Sequence, residues 1–399
     1  MLLTGTSRLF FHNITKVIKK KNKRNNVASR IRPMTVLTGG NKVAGSYNIL
    51  LLGASYGSLL ATKIILAGHN ARLICLTEEA DLINKEGTLV RMPVKGREGL
   101  FDVKSVDLPG KLSASGPGSV NPGDYDLAVL AMQEPQYRSS GVRELLEGLA
   151  KSKVPCMSIM NMPPLTYLKR IEGLDTDKYR ASYADATVWD ALDPSLMTLC
   201  SPDPQAFRPP DEPVNVLQVR LPTNFKSARF QSDEHTNILR KLETDIEAAR
   251  FDTGSGMAEL PVKLRVHESI FVPMAKWCML LAGNYRCVQQ NEMRTIKDAV
   301  HSNLVETQEV YEWVSELCVS LGAAPSDMVP FEKYANAAES LISPSSAARA
   351  LAAGAPNIER VDRLVQSIAA NKGRNLVAVD RTVALVDDWI AKNQQKQGD

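Results

Sequence analysis

Two continuous apolar runs, "YNILLLG" (47–53) and "ARLICLT" (71–77), constrain this chain more than any other feature. A strand with one wet face alternates apolar and polar residues. A run that is apolar at nearly every position has to be covered on both faces, as in a parallel sheet. Between the two runs, "GSLLATKIILAG" places Leu59, Leu60, Ile64 and Ile65 at helical spacing. Strand, glycine turn, helix, strand is a βαβ unit. Two further runs, "DLAVLAM" (126–132) and "PCMSIMNM" (155–162), bracket the helical stretch "VRELLEGLAKS" with Leu145, Leu146 and Leu149. The expected fold is α/β: a Rossmann-type doubly wound sheet over 47–227, followed by a mainly α-helical domain.

Smaller pieces fit around that frame. "LVRMPV" and "FDVKSV", between 89 and 106, read as a hairpin or as edge strands; "SPDPQAFRPPDEP" (201–213) is a proline-rich loop, and "VNVLQVRLP" after it supplies a final strand. Beyond residue 228 the period changes to that of helices in "TNILRKLETDIEAARF", "LVETQEVYEWVSELCVSLG", "IERVDRLVQSIAAN" and "RTVALVDDWIAKN". Residues 228–399 are therefore expected to form a helical substrate and dimerisation domain, with the cleft between the two domains.

Charge is unevenly placed. Residues 1–33 hold nine Lys or Arg and no acid; without those nine of the 48 basic residues, 39 face 44 acidic ones, a net of −5. A mildly acidic body gives no support to nucleic-acid binding. The basic leader, taken as 1–46, has two readings: a mitochondrial transit peptide, or a disordered tail upstream of a start at Met34. The first implies mitochondria, the second the cytoplasm. Its apolar stretch is too short and broken for a secretory signal. The six cysteines are scattered, with no C-x-x-C pair, which suits a reducing compartment and points to neither a disulfide framework nor a metal site. No uninterrupted apolar stretch is long enough to span a bilayer.

In a dinucleotide-binding βαβ unit, successive glycines permit the tight turn, the approach of the pyrophosphate and close helix–strand packing. Here Gly53 stands at the first position, Ser55 at the second and Ser58 at the third, while Gly57 arrives one residue early. Ser55 narrows the space for phosphates but brings a hydroxyl; Gly57 fits the packing role if the turn is one residue shorter. The second run ends in "LTEE", where Glu78 is in range to accept from both ribose hydroxyls, the NAD arrangement. No Arg or Lys of that strand end stands ready for a 2′-phosphate.

In order along the chain, "ILLLGASYGSLLATKIILAGH", "DLAVLAMQEPQY" followed by "SIMNMPP", "AKWCMLLAGN" and "SSAARALAAGAPNIERVD" resemble the ketopantoate reductases (2-dehydropantoate 2-reductases) over roughly 47–375. The resemblance implies NADPH-dependent reduction of a branched 2-oxo acid to the 2-hydroxy acid by a homodimer. It implies a helix-borne lysine as general acid, with Lys276 first and Lys263 second. Asn284, Asn161 and Ser346 would hold substrate, and Gln133, Gln136 and Glu359 would lie beside the cofactor or substrate. Four positions depart from the family pattern: Gln133 replaces a lysine, Met162 a glycine and Leu280 an asparagine, and Glu359 is displaced by one residue. Charge at the strand end points to NADH and family habit to NADPH, so both are kept. The alternatives are an opine-type or other 2-hydroxy-acid dehydrogenase, hinted at by His267 beside Glu268, and a non-catalytic nucleotide-sensing protein of the same fold.

Overall fold

The computed structural model describes residues 45–398, and those from 45 on belong to one compact unit. The basic leader, apart from its last two residues, lies outside the described residues. The strands are β1 (Asn48–Leu52), β2 (Asn70–Ile74), β3 (Leu89–Pro93), β4 (Leu100–Lys104), β5 (Leu112–Ser115), β6 (Leu127–Leu130) and β7 (Cys156–Ile159), then β8 (Met197–Ser201), β9 (Gln205–Phe207), β10 (Val216–Leu221), β11 (Phe225–Ala228), β12 (Phe251–Asp252), β13 (Met257–Ala258) and β14 (Leu264–His267). The main sheet has eight strands in the order β14-β11-β8-β7-β6-β1-β2-β5. Its pairings are parallel except β11 with β8.

The continuous apolar runs follow from two covered faces. In β1, Ile49 and Leu51 enter one core and Leu50 and Leu52 the other, all with no exposure. In β6 the same division falls between Leu127 and Val129 on one side and Ala128 and Leu130 on the other. Helices Tyr56–Leu66 and Asp233–Ala248 cover the first face through Leu59, Ile64, Leu239, Leu242 and Ile246. Helix Val142–Lys151 covers the second with Leu145, Leu146 and Leu149, and that core runs on into the C-terminal helices through Trp277, Leu281 and Tyr285. Each fully buried Leu or Ile contributes about 1.5–3 kcal/mol relative to exposure, so the two interleaved faces fix the register of β1 against its neighbours.

Two expectations change. "VNVLQVRLP" does not close the main sheet. Its strand β10 lies in a second sheet, ordered β4-β3-β10-β9, parallel to β3 and antiparallel to β9. The 89–106 segment is a hairpin, with Val90 opposite Val103. The main sheet also runs past residue 228: β11 and β14 form its outer edge, and helix Asp233–Ala248 packs on its face rather than opening the helical half. The remaining helices include Leu304–Ser320, Phe331–Ala338, Ser346–Ala352, Val361–Asn371 and Val377–Gly398. Among the described residues, no helix is long and apolar enough to cross a membrane, and no group of His, Cys, Asp or Glu is placed to hold a metal ion.

Candidate active site

The glycine turn is built as a tight one. Gly53 has φ +104°, and a Cβ there would lie 2.8 Å from the Ala131 carbonyl oxygen and 2.7 Å from Met132 Cγ. Only glycine combines that conformation with that approach. At Gly57 a Cβ would sit 3.1 Å from Leu73 Cδ2 on β2, so its missing side chain lets the first helix lie close on the sheet. The two serines differ. Ser58 is buried and its hydroxyl donates to the Ala54 carbonyl, turned back into the protein. Ser55 precedes the helix, is half-buried and makes no side-chain cap, which leaves the first N–H groups of helix Tyr56–Leu66 free of a side-chain acceptor.

At the end of β2 the chain turns at once into helix Thr77–Glu86, so Glu78 is an exposed first-turn residue rather than a strand end. Its neighbour Glu79 is ion-paired with Arg208, which arrives from the proline-rich loop. A cation therefore does stand at this strand end, supplied from 129 residues away. Local sequence offered no sign of it.

Beside this turn lies a small pocket, partly open to solvent, lined by Gln133, Asn161, Asn284, Ser346 and Glu359 with Leu280, Tyr285, Ala347 and Ile358. Five of the expected residues thus meet although they come from four separate stretches. Gln133 and Asn161 stand just beyond the carboxyl ends of β6 and β7, the position at which doubly wound sheets present their ligands. Asn284 ends the π turn of a segment in which Lys276–Met279 is α-helical, Leu280–Asn284 is the π turn and Tyr285–Cys287 tightens to 3-10. The wide turn changes which residues share a face, and Asn284 and Leu280 line the pocket where Lys276 does not. Ser345, not Ser346, caps helix Ser346–Ala352: its Oγ accepts from Ala348 N–H and donates to the Asn284 carbonyl. The Ser346 side chain is left to the pocket. Gln136 is engaged locally, its Oε1 accepting from Gln133 N–H.

Glu359 lies in the pocket wall, 8 % exposed. Its Oε2 accepts from Asn161 Nδ2 at 3.1 Å and its Oε1 from Glu134 N–H at 3.4 Å. The Asn161 Oδ1 is buried without a protein partner. Behind Glu359 stands Glu134, 2 % exposed, accepting from Ala184 N–H. Burial pushes each carboxyl up to about 7; the charge of Glu359 adds to the rise at Glu134, while the hydrogen bonds from Asn161 and from Glu134 N–H oppose the rise at Glu359. Tyr285 completes the wall; its hydroxyl donates to the Glu359 carbonyl and accepts from Val361 N–H. Glu134 and Tyr285 were not expected, because a lone acid or tyrosine in a helical stretch carries no local signal.

The two lysines are separated by the structure. Lys263 sits at the start of edge strand β14, held by Glu247 and Glu259, outside the pocket. Lys276 is four-fifths buried; its Nζ donates to the Pro202 carbonyl at 2.6 Å and lies 3.6 Å from Asp203. Burial lowers its pKa, opposed by the charges of Asp203 and, further off, Glu359. Asp203 in turn pairs with Lys226 at 2.9 Å. His267 and Glu268 form no catalytic pair: Glu268 is exposed and bound by Arg229 and Arg240, while His267 Nε2 is buried with no partner.

No protein-family model matches the chain, and no curated protein matches it in sequence. Solved structures do. A ketopantoate reductase from Ralstonia eutropha is similar at 17% identity with a TM-score of 0.56, covering 87% of this chain and 99% of its own. A 2-dehydropantoate 2-reductase from Methylococcus capsulatus is similar at 12% identity and 0.57, over 87% and 97%. D-mandelate dehydrogenase, solved with NADH and anilino(oxo)acetate, is similar at 12% and 0.57, over 87% and 99%. The chain has the fold of these proteins: a parallel-rich, Rossmann-type sheet followed by a helical region.

Proposed function

We propose that the chain is an NAD(P)H-dependent reductase that converts a small 2-oxo acid to the 2-hydroxy acid, with Lys276 as the general acid. The observation that carries this reading is the meeting of Gln133, Asn161, Asn284, Ser346 and Glu359 around one pocket beside the tight turn at Gly53. A nicotinamide dinucleotide, when bound, supplies the hydride. The chain's residues fit that group at one place: a glycine turn opening a helix whose first N–H groups lack a side-chain cap, the usual seat of a pyrophosphate. Asn161, Asn284 and Ser346 would orient the substrate, whose carbon chain would lie against Leu280, Tyr285 and Ile358. Lys276 would give its proton to the oxygen that becomes the hydroxyl. Its lowered pKa suits that donation. The helical half would serve as the dimer contact, as expected for residues 228–399.

A non-catalytic, nucleotide-sensing role is favoured by one observation: the Lys276 ammonium is engaged by the Pro202 carbonyl and Asp203 and is absent from the pocket lining. One experiment separates the two. The protein is titrated with NADPH and NADH by nicotinamide fluorescence, then assayed against branched aliphatic and aryl 2-oxo acids. Binding with turnover supports the reductase. Binding without turnover of any of them supports the sensor, and no binding removes both.

A further inference from the structure

The segment that follows β8 takes an unusual path. Starting from Ser201, it is held first by Lys276, whose Nζ meets the Pro202 carbonyl, and by the pairs of Asp203 with Lys226 and Lys276. Next, the Tyr56 hydroxyl donates to the Pro204 carbonyl at 2.9 Å. Residues 205–207 then form strand β9, paired antiparallel with β10, so releasing the segment also opens that edge ladder; last, Arg208 pairs with Glu79 in the first turn of the helix after β2. Pro202 and Pro204 are buried, so this is not a loose surface excursion. From β8 to β2 the sheet order counts four strand spacings, β8-β7-β6-β1-β2. At about 4.8 Å each these come to about 19 Å. Seven residues of extended chain reach about 23 Å. The segment therefore crosses the carboxyl edge of the sheet nearly taut.

Its three anchors mark the path a dinucleotide takes on such a sheet. Lys276 stands at the reacting end, Tyr56 at the first helix N-terminus where a pyrophosphate sits, and Glu79 beyond the second strand where a ribose lies. Chain and ligand cannot share that space. We infer that Pro202–Arg208 is a strap that fills the dinucleotide groove at rest, and that nucleotide binding displaces it and frees the Lys276 ammonium for the pocket. This inference rests on the dinucleotide reading above. It accounts for the engaged lysine without discarding the chemistry: Asp203 and the Pro202 carbonyl hold the ammonium, and both leave with the strap. Tyr56, the first residue of the helix and next to the Ser55 that holds the pyrophosphate-approach position, has its hydroxyl committed to the strap.

The test combines Tyr56→Phe with hydrogen exchange. Tyr56→Phe removes one resting-state hydrogen bond and nothing that a bound nucleotide needs. A net bond of about 1 kcal/mol corresponds to about fivefold in affinity, so the variant should bind NADH or NADPH about fivefold tighter than the parent. On saturation of the parent with the preferred nucleotide, backbone amides within 203–208 should exchange faster, and chymotrypsin should cut sooner after Phe207. Nucleotide binding that leaves those amides unchanged or slows them, or a Tyr56→Phe variant that binds more weakly, overturns the strap and leaves the dinucleotide reading standing. Failure of both proteins to bind either nucleotide overturns the two together.

Discussion

Replacing Glu359 by glutamine should make the protein more stable at pH 8 and leave it nearly unchanged at pH 4.5. The carboxyl rises from 4.5 to about 7 on folding, chiefly through burial and against the hydrogen bonds from Asn161 and the backbone. The sign follows from proton counting. Between those two values the native state holds a proton that the unfolded chain has released, so stability falls as pH rises. The contribution is fully present below pH 4.5 and is lost as pH passes 7. At about 1.36 kcal/mol per pH unit, the rise corresponds to about 3 kcal/mol. The rise at Glu134 already includes the charge of Glu359, so the two contributions do not sum. The Glu359→Gln side chain would keep an acceptor for Glu134 N–H. Its amide could also donate to Asn161 after that side chain turns, giving the orphaned Oδ1 a partner. His69 and His267, both held below the ordinary histidine value by burial, act in the opposite direction, so the parent's curve alone is ambiguous. The difference between parent and variant is not. Urea midpoints read by circular dichroism at half-unit steps from pH 4.5 to 8.5 should show a gap opening to about 3 kcal/mol. A gap that is constant with pH would refute the assignment of a buried, proton-holding carboxyl at 359.

Other substitutions separate roles that lie side by side. Gly53→Ala forces a Cβ against the Ala131 carbonyl oxygen at 2.8 Å in a backbone conformation of φ +104°, and should cost about 2–3 kcal/mol in urea unfolding. Lys276→Met should lower turnover of a 2-oxo acid about 100-fold or more while nucleotide affinity holds or improves. Lys263→Met, which only breaks edge-strand ion pairs, should leave turnover within about twofold, and equal effects of the two would undo their separation. Ser345→Ala removes a helix cap and the bond to the Asn284 carbonyl and should cost about 1–2 kcal/mol, whereas Ser346→Ala should leave stability within about 0.5 kcal/mol and weaken substrate binding.

What could be read in the sequence was whatever a few neighbouring residues decide. A strand covered on both faces has to be apolar at every position, so β1 and β6 were visible as runs, and Gly53 followed from the need to turn sharply between a strand and a helix. The pocket residues were reachable through order along the chain rather than through local pattern: Asn161 alone is a turn residue, and Glu359 alone is a charge on a helical stretch. Features set by distant partners left no trace. β10 has a good strand pattern, but pattern carries no information about which sheet it joins, and it pairs with β3 instead of closing the main sheet. The π turn at Leu280–Asn284 slips the helix register, so an eight-residue spacing did not bring Lys276 and Asn284 into one pocket.

The proline-rich stretch is the instructive case. Prolines without helical or strand period read as a loop, and loops are expected on the surface. Yet proline also stiffens an extended backbone and carries no N–H to satisfy, so a segment such as Ser201–Pro204, with proline at every second position, has half the usual number of N–H groups to satisfy when it is buried. Lys276 and Tyr56 take up two of the segment's carbonyls. The composition that suggested a passive connection is therefore the composition a taut segment across a binding groove requires. The surrounding charges point the same way: Asp203 sits between Lys226 and Lys276, and Arg208 meets Glu79, so both ends of the segment are pinned by side chains that local sequence left unpaired.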